Sequence, residues 1–89
     1  MYIEFSDEVD KELRKLKNKN SKLAKQIEKK LALFLDNPKH PSLRIHKLTG
    51  ELKELWSVSI NKSVRMVYLI VKDTAYFIDI GTHDEVYKK

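Results

Sequence analysis

The chain of 89 residues contains no cysteine and only two glycines and two prolines. Without cysteine there can be no disulfide, no thiolate metal site and no cysteine nucleophile. So little glycine and proline, with 42% hydrophobic and 35% charged residues, excludes collagen-like and disordered classes. No apolar run reaches the roughly 18 residues of a membrane-spanning helix, and the first ten residues are too acidic for a signal peptide. We therefore expect a cytoplasmic protein with one domain over residues 1–89.

Positive charge exceeds negative charge by five, and it is concentrated in one segment. Residues 14–30 carry eight lysines and arginines against a single acid, Glu28. Lys22, Lys25 and Lys29 fall on one stripe of a helix. This stripe is either an ordinary solvated face or a surface that binds phosphates without reading sequence. The charge favours polyanionic partners but does not choose among RNA, DNA, an acidic protein and a membrane.

Hydrophobic periodicity predicts an α+β domain of two layers. The predicted elements are a strand at 2–5, helices at about 7–17 and 21–36, strands at 55–60, 64–71 and 75–80, and a final helical turn from residue 82. The second helix has an apolar face of Leu23, Ile27, Leu31 and Phe34 with Leu35. Residues 43–48 are extended or irregular, and Thr49-Gly50 marks a turn. The order is β-α-α-β-β-β, with a helical hairpin packed on a twisted, mainly antiparallel sheet.

Arg65 is the one charged residue in the apolar stretch 64–71, which is predicted to be a central strand. An arginine in such a strand is rarely buried unless its head group is paired. Two interpretations stay open. Arg65 pairs with Asp79 or Glu54, or it binds the phosphate of a ligand, because a planar guanidinium can hold two phosphate oxygens and stabilise developing charge.

His83 follows the last predicted strand, and Tyr87 lies one helical turn later. Loops at strand ends commonly carry catalytic groups, and an imidazole exchanges protons near neutral pH. His83 is thus a candidate acid or base, although an inert surface histidine is equally consistent with the residues, as is a Tyr87 that covers the core edge. From the residues alone, the simplest interpretation of His46 is a loop histidine whose ring nitrogens are hydrogen-bonded and which has no catalytic role. Because no two histidines are spaced as ligands on one element, we expect neither a metal nor a cofactor.

The remaining inventory is proton transfer by histidine beside cationic stabilisation by arginine or lysine. The sequence has no glycine-rich phosphate loop and no G-x-S-x-G nucleophile elbow. Cleavage of RNA by its own 2′-hydroxyl suits this inventory, because the substrate supplies the nucleophile. The protein then only removes one proton, supplies another and stabilises the pentacovalent phosphate. The composition permits this mechanism.

Four stretches carry a more specific signal: 37–50 (NPKHPSLRIHKLTG), 55–60 (LWSVSI), 64–68 (VRMVY) and 80–87 (IGTHDEVY). In their order and spacing they resemble toxins of the RelE/ParE superfamily, and the YafQ-like and RelE/StbE-type branch is the most similar. The resemblance implies the toxin of a toxin–antitoxin pair. Members of the RelE and YafQ branches cleave mRNA in the ribosomal A site without metal, and an antitoxin blocks them.

Site residues follow from the resemblance by position. His83 matches the catalytic histidine of YafQ-like toxins, His46 their upstream histidine, Arg65 the arginine of an Arg-x-Val-Tyr motif, and Tyr87 the C-terminal aromatic that contacts the substrate. For a ribosome-bound nuclease we expect RNA contacts from five lysines: Lys22, Lys25, Lys29, Lys47 and Lys62.

The chain departs from the family pattern at Ser59 and Ser63, which stand where YafQ-like toxins carry a further histidine and an aspartate. Lys47, Lys62 or Asp84 are candidates to replace these groups. Two other functions stay open: a DNA gyrase inhibitor of the ParE branch, and a catalytically silent protein that only binds its partner. We expect a cognate antitoxin along residues 14–30 in a toxin–antitoxin hetero-oligomer, a ribosome with mRNA, and no membrane.

Overall fold

The computed structural model describes residues 1–48 and 54–87, and among these the side chains of His83 and Tyr87 are outside the description. The predicted turn at Thr49-Gly50 also lies outside the described residues. The elements are β1 (Tyr2–Phe5), α1 (Asp7–Lys19), α2 (Ser21–Asp36), a 3-10 turn η1 (Pro41–Leu43), β2 (His46–Leu48), β3 (Leu55–Ser59), β4 (Val64–Val71), β5 (Thr74–Thr82) and α3 (His83–Tyr87).

The strands form one sheet in the order β1-β5-β4-β3-β2, in which β1 runs parallel to β5 and the other neighbours are antiparallel. The predicted α+β fold is confirmed, with the helical hairpin packed on this sheet. The sheet has one more strand than the sequence indicated. That strand is β2, which forms in the segment left open as extended or irregular and pairs with β3 at the sheet edge.

Local capping explains where the hairpin helices begin. The hydroxyl of Ser6 accepts a hydrogen bond from the backbone N–H of Val9 at 3.2 Å, as expected of an N-cap. Asn20 ends α1 and caps α2, since its side-chain oxygen accepts from the N–H of Leu23 at 3.1 Å. One residue therefore makes the sharp turn between the two helices.

The main core lies between the hairpin and one face of the sheet. Val9, Ile27 and Phe34 of the helices meet Met66 and Phe77 of the strands, and all five are buried. Leu35 was predicted on the buried face of α2, but that prediction is wrong because its side chain is 49% exposed. Burial also raises the pKa of Tyr68 to about 12, so its phenol stays neutral in the core.

The other face of the sheet carries the polar residues of the strands. Side chains alternate between faces, and the pairing puts His46, Ser57, Val67 and Asp79 in one row across this second face. The short helix α3 packs against β4 and β5. Its Val86 is buried, as is Val67, and neither belongs to the main core. Within the described residues, no helix is long and apolar enough to cross a membrane.

Candidate RNA-cleavage site

The predicted site residues converge because of the strand directions. The start of β2, the end of β3, the start of β4 and the end of β5 all lie at one end of the sheet. There Ser59 pairs with Arg65, and Arg65 pairs with Gly81 on its other side. His46 begins β2 one row away, opposite Ser57. Residues that are distant in the sequence therefore lie together at one end of the second face of the sheet.

An open cleft of about 920 Å³ lies at this end of the sheet, beside the 3-10 turn and the C-terminal half of α2. Its described lining residues are Lys30, Ser42, Arg44, Ile45, His46, Ser59, Asn61, Lys62 and Arg65. They include two lysines, two arginines and a histidine, and no carboxylate is among them. Such a lining suits an anionic ligand, because cationic groups line the cleft and none of its described lining residues is a carboxylate that would repel the ligand.

Arg65 lies at the back of this cleft and is only 8% exposed. Its Nε and Nη2 both donate to the hydroxyl of Ser57, at 3.2 and 3.0 Å. Nη2 also donates to the backbone carbonyl of Arg44 at 2.8 Å. Glu54, one of the two carboxylates considered for Arg65, accepts instead from Lys47 at 3.2 Å.

The turn between β3 and β4 forms one wall of the cleft and is fixed by Asn61. Its side-chain oxygen accepts from the backbone N–H groups of Ser63 and Val64, both at 2.8 Å. Its amide donates to Gln26 of α2 at 2.9 Å. Lys30 lies one helical turn after Gln26 and donates to the carbonyl of Ser42 at 3.2 Å. The lysine that follows Asn61, Lys62, is thereby held on the cleft wall.

The five lysines predicted to bind RNA are not all in this cleft. Lys62 lines it. Lys47 points to the opposite face of β2 from His46, because neighbouring strand residues alternate, and it pairs with Glu54. Lys22, Lys25 and Lys29 are exposed on α2. Lys22 lies on the i, i+4 row that leads through Gln26 to Lys30, and Lys25 and Lys29 lie one position before that row. They therefore continue the positive surface from the cleft along the helix.

His83 and Tyr87 were predicted to share a small C-terminal appendage, and the backbone forms one as α3. His83 directly follows Thr82, which pairs with Val64, so its backbone lies at the cleft end of the sheet. The predicted capping box is confirmed: the N–H of Thr82 donates to Glu85 at 2.7 Å, and the N–H of Glu85 donates to the Thr82 hydroxyl at 3.2 Å. The roles of the His83 and Tyr87 side chains stay predictions.

Two cationic residues of the cleft were missed as site residues by sequence reasoning: Lys30 and Arg44. Lys30 was visible only as one of many lysines in a basic run. Arg44 has a left-handed backbone with φ 45° and ψ 51°, which is disfavoured for a residue with a Cβ. No local sequence signal marks this conformation. For the cleft wall, in contrast, the sequence did contain a signal. It was the turn Asn61-Lys62-Ser63, because asparagine side chains commonly accept backbone hydrogen bonds in turns.

The backbone and side chain of Arg44 can be tested separately with Arg44→Gly. Glycine adopts the left-handed conformation without strain and keeps the carbonyl that Arg65 contacts. We expect a free energy of unfolding within about 1 kcal/mol of wild type, because relief of strain offsets the greater entropy of the unfolded chain. For binding of a short RNA, the slope of log K against log salt should become shallower by about 0.7, because one phosphate contact is lost. Urea unfolding and salt-dependent binding check both. A loss above about 2 kcal/mol would assign the side chain a structural role instead.

Comparison with known proteins identifies the family of this chain. The family model described as the bacterial toxin of type II toxin–antitoxin systems, YafQ, matches residues 1–88. The chain belongs to the YafQ family of toxins. A protein of Methanocaldococcus jannaschii that bears the name toxin RelE4 is 34% identical over 89 residues, covering 98% of this chain and 90% of that protein. The RelE-superfamily resemblance inferred from the sequence is thus confirmed.

Solved structures of other toxins have the same fold as this YafQ-family chain. A metal-bound toxin from Helicobacter pylori superposes with a TM-score of 0.76 at 28% identity, covering 97% of this chain and 98% of that one. YafQ from Escherichia coli BL21(DE3) superposes at 0.75 and 18% identity, covering 96% of both chains. The E. coli DinJ–YafQ complex gives a TM-score of 0.75 at 16% identity, also covering 96% of both chains.

Proposed function

We propose that this toxin is a ribosome-dependent endoribonuclease that cleaves mRNA by attack of the 2′-hydroxyl on the adjacent phosphate. The observation that supports it best is the cationic cleft, which places Arg65 and His46 at the sheet end where His83 follows β5. Family membership supports the same conclusion, since the residues that the resemblance assigns to catalysis come from three separate stretches that the fold brings to one end of the sheet.

The reaction needs two proton transfers and one stabilised charge. The 2′-oxygen loses its proton to a base and bonds to phosphorus, while the 5′-oxygen of the next nucleotide leaves and takes a proton from an acid. The products are a 2′,3′-cyclic phosphate and a 5′-hydroxyl. His83 acts as acid or base, His46 is its partner or a phosphate ligand, and Arg65 stabilises the pentacovalent phosphate. Tyr87 stacks on a base of the substrate.

The test is a cleavage map by primer extension in a purified translation reaction, with and without ribosomes. The expected result is a set of cuts in mRNA that appear only when ribosomes are present. A supercoiling assay with DNA gyrase is run beside it. Inhibition of gyrase without RNA cuts would assign the protein to the ParE type of activity, and neither effect would leave a protein that only binds its partner.

The exposed lysines of α2 supply the contacts to ribosomal RNA in this proposal. We predict that Lys22→Gln, Lys25→Gln and Lys29→Gln together lower the slope of log K against log salt for ribosome binding by about 2–3, because each lost phosphate contact removes about 0.7–0.9. The matched control replaces Lys11, Lys15 and Lys72, which are also exposed, and makes the same change in net charge. Equal slopes in the two triple variants would show that net charge, not the α2 surface, drives binding.

We infer that the partner is an antitoxin that binds along the helical hairpin. The complex of the E. coli YafQ neighbour with DinJ supports a protein partner of this kind. A groove of about 300 Å³ between α1 and α2 has Leu13, Ala24, Ile27 and Leu31 among its lining residues. Both charge signs border it, since Arg14 pairs with Asp10 at 3.0 Å. An amphipathic helix fits such a groove, and a complex that leaves it open to solvent would contradict this assignment.

A further inference from the structure

We propose that Ser57 is a positioning residue that orients Arg65 for the cleavage reaction, together with the backbone carbonyl of Arg44. This inference rests on the proposed function of the cleft and adds a residue to it. Ser57 has no exposed surface and is not among the residues that line the cleft. It therefore acts on the substrate only through another side chain.

The hydrogen bonds to Arg65 are arranged to fix the direction of its head group. One oxygen of Ser57 accepts from both Nε and Nη2, which are neighbouring donors of one planar group. The Arg44 carbonyl accepts from Nη2 as well. Acceptors on two different elements, β3 and the turn after η1, thus determine the plane of the guanidinium. Rotation about the end of the side chain would break these bonds.

The strand register explains why residue 57 can reach Arg65. Arg65 pairs directly with Ser59, so Ser57 is its diagonal neighbour on the same face, within reach of a long side chain. On the other side Ser57 pairs with His46. Ser57 therefore lies in the row of His46 and next to the row of Arg65, so a change there alters the placement of Arg65 relative to His46.

The second acceptor is also held in a defined position. Arg44 has φ 45°, and its N–H donates to the carbonyl of Pro41 at 3.1 Å, which closes the 3-10 turn. The preceding Leu43 is completely buried and anchors this turn in the core. A strained backbone that persists at a candidate site is consistent with a functional requirement for its carbonyl.

If Ser57 had only a structural role, it would pair with the buried donors of Arg65 without affecting the reaction through Arg65. A double-mutant cycle distinguishes this structural role from the proposed positioning role. We expect Ser57→Ala to lower kcat for ribosome-dependent cleavage by about tenfold to a hundredfold, because a small misplacement of a catalytic group is costly, with KM changed little. In an Arg65→Ala background the same substitution should change kcat less than twofold. Equal losses in both backgrounds, or no loss in the first, would overturn the proposal.

A readout independent of cleavage keeps the proposal testable if the proposed function fails. In a nitrogen-15 NMR spectrum, the Nε–H signal of Arg65, assigned by its loss in Arg65→Lys, should shift and exchange faster with solvent in Ser57→Ala. If the alanine variant does not fold, Ser57→Cys replaces it in this measurement. Cysteine has nearly the volume of serine, but its sulfur is only a weak hydrogen-bond acceptor. An unchanged Arg65 signal would contradict the orientation by Ser57, whereas wild-type protein that makes no ribosome-dependent cuts would contradict the nuclease function alone.

Discussion

Arg65→Ala should lower kcat for mRNA cleavage by about a hundredfold to a thousandfold, the usual cost of removing one preorganised donor that stabilises transition-state charge. Arg65 combines low exposure with a position at the back of a cationic cleft. In such a site a fixed cation stabilises charge more strongly than it would in water. Single-turnover cleavage on ribosomes measures the effect, because it separates the chemical step from binding.

The same substitution has a structural cost that must be measured alongside. It removes the donors that bind Ser57 and the Arg44 carbonyl, and loss of partners for buried polar groups costs about 1–3 kcal/mol. Arg65→Lys is the informative companion, since it keeps the positive charge but cannot make the same planar set of bonds. We expect it to fold and to bind ribosomes, yet to cleave slowly. A lysine variant with the full wild-type rate would show that charge alone matters at this position.

The parts of the fold that follow from local patterns were predictable. Periodic apolar residues and the Ser6 cap determine the hairpin, and the pattern of residues 64–71 identifies the central strand, because these signals depend on neighbours a few positions apart. Leu35 shows the limit of this reasoning. It lies next to Phe34 on the helix, but only Phe34 is turned toward the sheet, and the exact rotation of a helix depends on what it packs against.

The site was less predictable because it depends on pairing between distant strands. Residues 43–48 gave no clear pattern, so the sequence could not decide which of His46 and Lys47 faces the cleft. The register of β2 on β3 decides it. The bond from Arg65 to Ser57 likewise depends on the β3–β4 register. The left-handed backbone of Arg44 has no sequence signal, since nothing in the residue type requires it.

The structure gives a physical role to Ser59, which is one of the two positions that depart from the family pattern. The Ser59 hydroxyl donates to the carbonyl of Asn61 at 3.0 Å, so it helps to shape the turn that carries Lys62. A serine there stabilises the cleft wall without supplying an acid or a base. The proton transfers of the proposed reaction then rest on the histidines, with His83 the first to test.

His83→Ala should reduce cleavage by about 10²–10⁴-fold, the range for a positioned group that transfers a proton in the transition state. The substitution leaves the Thr82–Glu85 capping box and the buried Val86 in place, so α3 should stay docked. Circular dichroism and thermal unfolding check the fold. Primer extension on ribosomes measures the cuts, and growth after expression without antitoxin measures toxicity.

The double variant His46→Ala/His83→Ala shows whether the two histidines act together. If they exchange the two protons of one reaction, the double variant should be scarcely slower than the slower single variant, because groups that act as a unit give strongly non-additive losses. Full toxicity of His83→Ala would remove His83 from the mechanism and leave Arg65, His46 and the lysines of the cleft to account for any cleavage observed.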